Sequence, residues 1–268
     1  MRAIAPAGVA VLVVLFTPPS YGQWLNYPTA GVPRLANGNP DLAAPAPRSA
    51  DGRPDFSGLW EIDATGGDAN EGRNPLAPEF RNVAARLKGG LPYTPSGLAL
   101  RNARQAENYI GNPDSHCLPT SIVQLHSTGL PRRMLQGAGI VAILYEKGVN
   151  YRQIFTDGRP LPIDPQPSWF GYSSAKWEGD TLIVQTSGFR DGLWADSDGN
   201  PLTDAARVTE RFRRPRFGTL EIEVTVDDVK AYTSPWTVKI TQRIKLDTEL
   251  LEYVCLENEK SRVHFVAK

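Results

Sequence analysis

Glu210 stands in the alternating stretch Arg207-Val208-Thr209-Glu210-Arg211-Phe212-Arg213. As a strand over 206–214, successive side chains take opposite faces, so the carboxylate shares the apolar face with Val208 and Phe212. A carboxylate turned inward is strongly destabilising unless it is paired or keeps its proton. Glu210 is therefore a candidate general acid or base with a raised pKa, a ligand anchor, or one half of a structural ion pair with an arginine. Gln242 breaks the pattern in the same way. Trp236, Val238, Ile240, Ile244 and Leu246 share its face, while Thr237, Lys239, Thr241, Arg243 and Lys245 lie opposite. Arg152, Asp157 and Arg159 cluster where a candidate strand ends at Thr156, and are ligand-binding candidates from the loop side. Trp177, Tyr232 and Trp236, with Trp169 and Trp194, fall in or near loops and strand ends. At a barrel mouth such rings stack on a flat or sugar-like ligand; in a core they are ordinary packing.

These residues point to a small-molecule ligand. With Glu210 as acid or base, the chemistry would be cofactor-free elimination, hydration or hydrolysis. The alternative is a non-catalytic cell-envelope or binding module. A cavity decides between them: a Glu210 fully paired inside a filled core is structural.

Other chemistries lack their residues. The histidines, His116, His126 and His264, show no short ligand spacing, so no metal is expected. Asp196-Ser197-Asp198-Gly199-Asn200 resembles part of a calcium loop but lacks the distal Glu, and reads as a surface turn. Gly171-Tyr172-Ser173-Ser174-Ala175 is near a nucleophile elbow, but a strand follows where a helix is needed. No phosphate-binding or dinucleotide loop occurs, and no cofactor is expected. Lys plus Arg equals Asp plus Glu at 29 each, so no long-range field recruits nucleic acid. Arg211, Arg213, Arg214 and Arg216 then read as a solvated strand face.

The elements that must hold these residues are mostly strands. The sequence has 24 Gly and 23 Pro, which suit short strands and many turns. Strands are expected at 56–62, 131–136, 139–146, 149–156, 172–178, 181–188, 206–214, 219–227, 236–246 and 250–257, joined by hairpin turns. In the last, Glu252 or Glu257 would point inward. The fold class is mainly β: an antiparallel curled sheet or lipocalin-like barrel of about 8–10 strands. Two helices precede most of the strands. One is expected at 78–88, from Phe80, Val83, Ala84 and Leu87; the other runs from Thr94-Pro95 to about Tyr109, with Thr as cap. They form a helical insertion at about 78–110 in a single β-rich domain, 57–268.

Residues 23–56 are a Pro/Gly-rich extended arm with an internal repeat. Pro33-Arg34-Leu35-Ala36-Asn37-Gly38-Asn39-Pro40-Asp41 recurs as Pro47-Arg48-Ser49-Ala50-Asp51-Gly52-Arg53-Pro54-Asp55. Before it, Arg2, the apolar run 7–16 and the exit Ser20-Tyr21-Gly22 have the order of a signal peptide, 1–22, cleaved before Gln23. The apolar run is too short to span a bilayer, so no integral membrane span is expected after cleavage. The expected location is periplasmic or secreted. There, Cys117 and Cys255 are expected to form a disulfide. The alternative is two free thiols, with His116 activating Cys117.

Several stretches resemble a family of uncharacterised secreted bacterial proteins. The family pattern runs P-D-[LF]-S-G-x-W, D-G-R-x-x-P, G-x-S-x-x-x-W-E-G-D-T-L-x-V-x-T, T-E-R-[FY]-x-R, D-D-x-x-x-Y-T-x-P-W-T and C-x-E-N. Here these fall at Pro54–Trp60, Asp157–Pro162, Gly171–Thr186, Thr209–Arg214, Asp227–Thr237 and Cys255–Asn258. The chain departs at Gln185, where family members often carry Asp. The resemblance implies a mainly β fold and export, and no particular reaction.

Overall fold

The computed structural model describes residues 28–63 and 81–257. The expected signal peptide, the start of the first helix and His264 lie outside them. Nine strands close into a barrel. They are β1 (Gly58–Ile62), β2 (Arg132–Gly137), β3 (Ile140–Tyr145), β4 (Asn150–Phe155), β5 (Tyr172–Glu178), β6 (Thr181–Ser187), β9 (Arg207–Arg216), β10 (Thr219–Asp227) and β11 (Trp236–Ile244). Round the barrel the order is β1-β11-β10-β9-β6-β5-β4-β3-β2. A small hairpin, β7 (Leu193–Trp194) with β8 (Pro201–Leu202), sits outside it.

Alternation builds the interior. Opposite Glu210 stand Val184 on β6 and Val224 on β10; opposite Phe212 stand Leu182 and Ile222. Continuing round the barrel, Val238, Ile240 and Gln242 pair with Val224, Ile222 and Leu220. Facing pairs in an antiparallel ladder share a face, so these side chains all fill the barrel. Val184, Leu182, Val224, Phe212 and Leu220 are fully buried.

One seam differs from the expected all-antiparallel sheet. β4 and β5 run parallel, joined by the long crossover 156–171, and pair only at Ile154↔Ser173 and Phe155↔Ser174. A parallel pair cannot be closed by a hairpin, which explains the length of this connection.

Both ends of the barrel are covered. At the lower end the arm crosses the β9–β10 turn, where Gly218 and Phe217 N–H groups donate to Leu42 and Ala44 carbonyls. Phe56 enters from the arm and stacks on Trp177 at 5.4 Å. The arm is not simply extended. Each repeat copy forms the same loop: Leu35 and Ser49 N–H groups donate to Asn39 and Arg53 carbonyls, and the Arg34 and Arg48 side chains donate to Gly38 and Gly52 carbonyls. The sequence repeat is a structural repeat.

The upper end is covered by α1 (Pro95–Ala106), a 3-10 turn (Pro113–His116), α2 (Ile122–Leu125) and the loops around β7 and β8. Thr94 caps α1 by accepting from Gly97 N–H, with Pro95 in the first turn, as the sequence requires. The other expected helix is not borne out over 82–90, which form turns. The Val83 N–H there donates to Asp196 and the Ala84 N–H to the Asn82 side chain, so neither N–H serves a helix.

The expected strand at 250–257 is a correction. Only Tyr253 pairs, in an isolated bridge to Lys147, and Glu252 and Glu257 are both exposed. β1 already joins β11 to β2, so the barrel leaves no edge there for another strand. This segment is held instead by the disulfide Cys117–Cys255, with Cα atoms 5.5 Å apart. The loop-closure model gives such a long-range link roughly 4–5 kcal/mol. Among the described residues, no helix is long and apolar enough to cross a membrane.

Candidate functional site

Glu210 is fully buried and holds partners on both oxygens. Arg152 Nη1 donates to Oε1 at 2.8 Å, and Arg152 Nη2 donates to Oε2. His126 Nε2 lies 2.5 Å from Oε1. On the other side of the imidazole, Arg132 Nη1 lies 2.7 Å from Nδ1. A guanidinium can only donate, so Nδ1 accepts and Nε2 carries the proton that goes to Glu210. Arg132 Nη2 donates to Gln242 Oε1, and Gln242 Nε2 donates to the His126 carbonyl at 2.7 Å. Arg152 also donates to Ser173 Oγ, from Nε at 3.2 Å, and to Thr186 Oγ1 at 2.9 Å. The network thus runs Gln242–Arg132–His126–Glu210–Arg152–Ser173/Thr186 across six strands and α2.

Its electrostatics follow from burial and pairing. Burial pushes the Glu210 carboxyl up, but the charge and hydrogen bonds of Arg152, with the hydrogen bond from His126, outweigh it and hold it well below the usual range. Burial and the Arg132 charge lower His126 to about 4, against the pull of Glu210, so the ring is neutral at pH 7. Burial lowers Arg132 to about 10, still charged. Two guanidiniums, one carboxylate and a neutral imidazole leave the network one positive charge in excess. Arg132 Nε is buried beside it without a hydrogen-bond partner among the described residues, and the Tyr145 hydroxyl lies buried against Arg152.

A cleft of about 470 Å³ opens at the parallel seam. β4 and β5 part above Ile154, and the gap is lined by Tyr151, Phe155, Trp169, Phe170 and Tyr172. Arg152 and Ser173, both members of the buried network, also line it. Tyr172 stacks on Phe155 at 5.3 Å, and two guanidiniums brace the rings: Arg159 over Phe155 at 4.0 Å and Arg190 over Trp169 at 4.4 Å. Gly171 turns the chain into β5 at φ 64°; a Cβ there would meet the Ser187 carbonyl oxygen at 2.7 Å.

Of the residues singled out in the sequence, the fold brings Glu210, Gln242 and Arg152 into one network. Arg152 is not on the loop side, as expected: it is in β4, opposite Ile143 and facing inward. Asp157 and Arg159 remain outside as an exposed ion pair. Trp177 lies at the lower end against Phe56 and Arg53. Tyr232 and Trp236 pack edge-on at the upper end, where the Tyr232 hydroxyl donates to the Pro201 carbonyl. Neither lines the cleft. His126, Arg132, Tyr145 and Thr186 escaped the sequence reading. For Arg132 the signal was present, because it shares a strand face with Met134; for His126 none was, because its position depends on where α2 docks.

The remaining motifs resolve structurally. Asp196 accepts from the N–H groups of Val83, Asp198 and Asn200 and from Asn200 Nδ2, so donors occupy the lone pairs a cation would need. No group of three or more potential metal ligands occurs among the described residues. Ser173 Oγ is taken up by Arg152 and Thr186, neither of which is a base. Arg211 and Arg213 pair with Glu178 and Glu221 on the outer face, while Arg214 is buried against Trp60 and the Phe217 carbonyl. A scan of protein-family models finds no match to this chain, and neither curated proteins nor solved structures give one.

Proposed function

We propose that this chain is an exported binding protein that takes up a small organic ligand in the lateral cleft between β4 and β5. The observation that carries this is the cleft itself: about 470 Å³, aromatic-lined, at the one parallel seam, with Arg152 and Ser173 on its wall. Small-molecule sites are commonly concave and apolar with a few fixed polar groups. The buried network gives the wall its rigidity, since each partner of Arg152 is itself held. The disulfide and the family resemblance support a location outside the cytoplasm. Proton transfer at Glu210 would need a free oxygen and access to the ligand. Both oxygens are bound and the group is sealed, so the proposal is binding rather than acid–base catalysis.

The test uses a neutral fluorescent probe, N-phenyl-1-naphthylamine, and a Ser168→Trp variant. Ser168 is exposed on the cleft lining, so the larger side chain fills the mouth without disturbing the core. The probe should bind the wild type and be excluded from the variant at unchanged melting temperature. Equal binding to both proteins would remove the cleft as the ligand site.

A further inference from the structure

From the same cleft, and resting on the binding role proposed for it, we infer the class of its ligand: a planar aromatic anion, such as an aryl carboxylate. Three independent features of the cleft lead there.

The first is shape and surface. Five aromatic side chains line the gap, and Tyr151 is 66% exposed, an unusual state for a large ring. Rings arranged this way offer stacking faces and edges to a flat ligand.

The second is a pair of open backbone donors. The Thr156 N–H donates to the Gly139 carbonyl, which fixes the phase of the β3–β4 ladder. Arg152 and Ile154 then exchange bonds with β3, and the backbone groups of Tyr151 and Gln153 point toward β5. β5 pairs only from Ser173 onward, so the Tyr151 and Gln153 N–H groups have no strand partner among the described residues. An open edge of this kind is a site where a ligand's acceptor atoms can be taken up.

The third is charge. No Asp or Glu is among the residues lining the cleft. Arg190 does not itself line the cleft but sits over the lining ring of Trp169 and forms no ion pair among the described residues, whereas Arg159 is neutralised by Asp157. Behind the Arg152 wall, the buried network carries one net positive charge, only partly screened by solvent. Aromatic faces, unpaired N–H donors and a positive field together fit a flat ring with an anionic group at its edge.

The test compares 2-naphthoate with neutral 2-naphthylmethanol by titration calorimetry, on the wild type and on Arg190→Gln. Wild type should prefer the naphthoate by about tenfold at an ionic strength of about 0.01 M, where the screening length is about 30 Å. The preference should collapse at about 1 M, where it is about 3 Å. Arg190→Gln should reduce the preference several-fold, weakening 2-naphthoate far more than 2-naphthylmethanol, which shares any loss of bracing at Trp169. Equal affinity for the two probes, or a preference for the neutral one, overturns the anion assignment while the cleft keeps its binding role. Failure of both probes to bind, with N-phenyl-1-naphthylamine also failing, overturns the binding role itself.

Discussion

Replacing Glu210 by Gln tests the network most directly. The substitution keeps the shape of the side chain and deletes the one negative charge. In the wild type, Glu210 faces Arg152 through two hydrogen bonds and His126 through a third, all fully buried. In the variant, Arg152 and Arg132 remain buried with no carboxylate in the network. Stranding the partner of a buried ion pair destabilises a protein by about 3–5 kcal/mol. For a domain of this size each kcal/mol moves the melting temperature by about 2–4 °C, so Glu210→Gln should fall by about 6–20 °C. The assay is differential scanning calorimetry at pH 7. A companion Glu210→Gln/Arg152→Met pair removes both charges, and should lose less than the sum of the two single variants, since the residues are in contact. If Glu210 existed to serve a ligand, its loss would leave the melting temperature in place. A shift under about 2 °C, or strict additivity in the double variant, would refute the structural assignment.

Acid stability and the packing of α1 offer two further checks. His126 is held neutral down to about 4 in the folded state, while in the unfolded chain it takes its proton near 6.5. The unfolded state then binds more protons between these values. Stability contributed by His126 should therefore be present above about pH 6.5 and be lost as pH falls toward 4, on the order of 3 kcal/mol. Asp196 acts in the opposite sense: burial raises it to about 6, so its contribution is present below the unfolded pKa and is lost as pH rises through 6. In urea titrations over this range, His126→Gln should flatten the acid loss and Asp196→Asn should steepen it; an unaltered profile in His126→Gln rejects the assignment. At Gly97 the close approach of α1 to the loop after β10 decides the sign. Gly→Ala within a helix ordinarily stabilises by about 1 kcal/mol, but here a Cβ would lie 2.1 Å from the Ala231 carbonyl oxygen. Gly97→Ala should instead lose about 1–3 kcal/mol, and a stabilised variant in urea unfolding contradicts the packing described.

What the sequence determines here is what period-two alternation and local turn chemistry can encode. Val208, Glu210 and Phe212 share a face in any strand, so an inward Glu210 followed from the residues alone, as did the inward Gln242. Thr94-Pro95 carries its own helix start, and the repeated Pro-Arg segments carry their own loops. The number and order of strands in the barrel, and the partners of each inward residue, belong to another level. Arg152 and Glu210 meet only because β4 and β9 lie across the same interior, and neither strand contains a local trace of the other. His126 reaches them because α2 docks over the barrel end. Over 82–88 the helical spacing was overridden when Val83 gave its N–H to Asp196, a residue far along the chain. The tail at 250–257 is apolar enough for a strand, yet the ring closed by β1 leaves it no edge to join. The cleft is the clearest case. It exists because β4 and β5 run parallel and separate after two pairs, and strand direction in a closed sheet is set by how the whole chain winds, not by any residue within the strand.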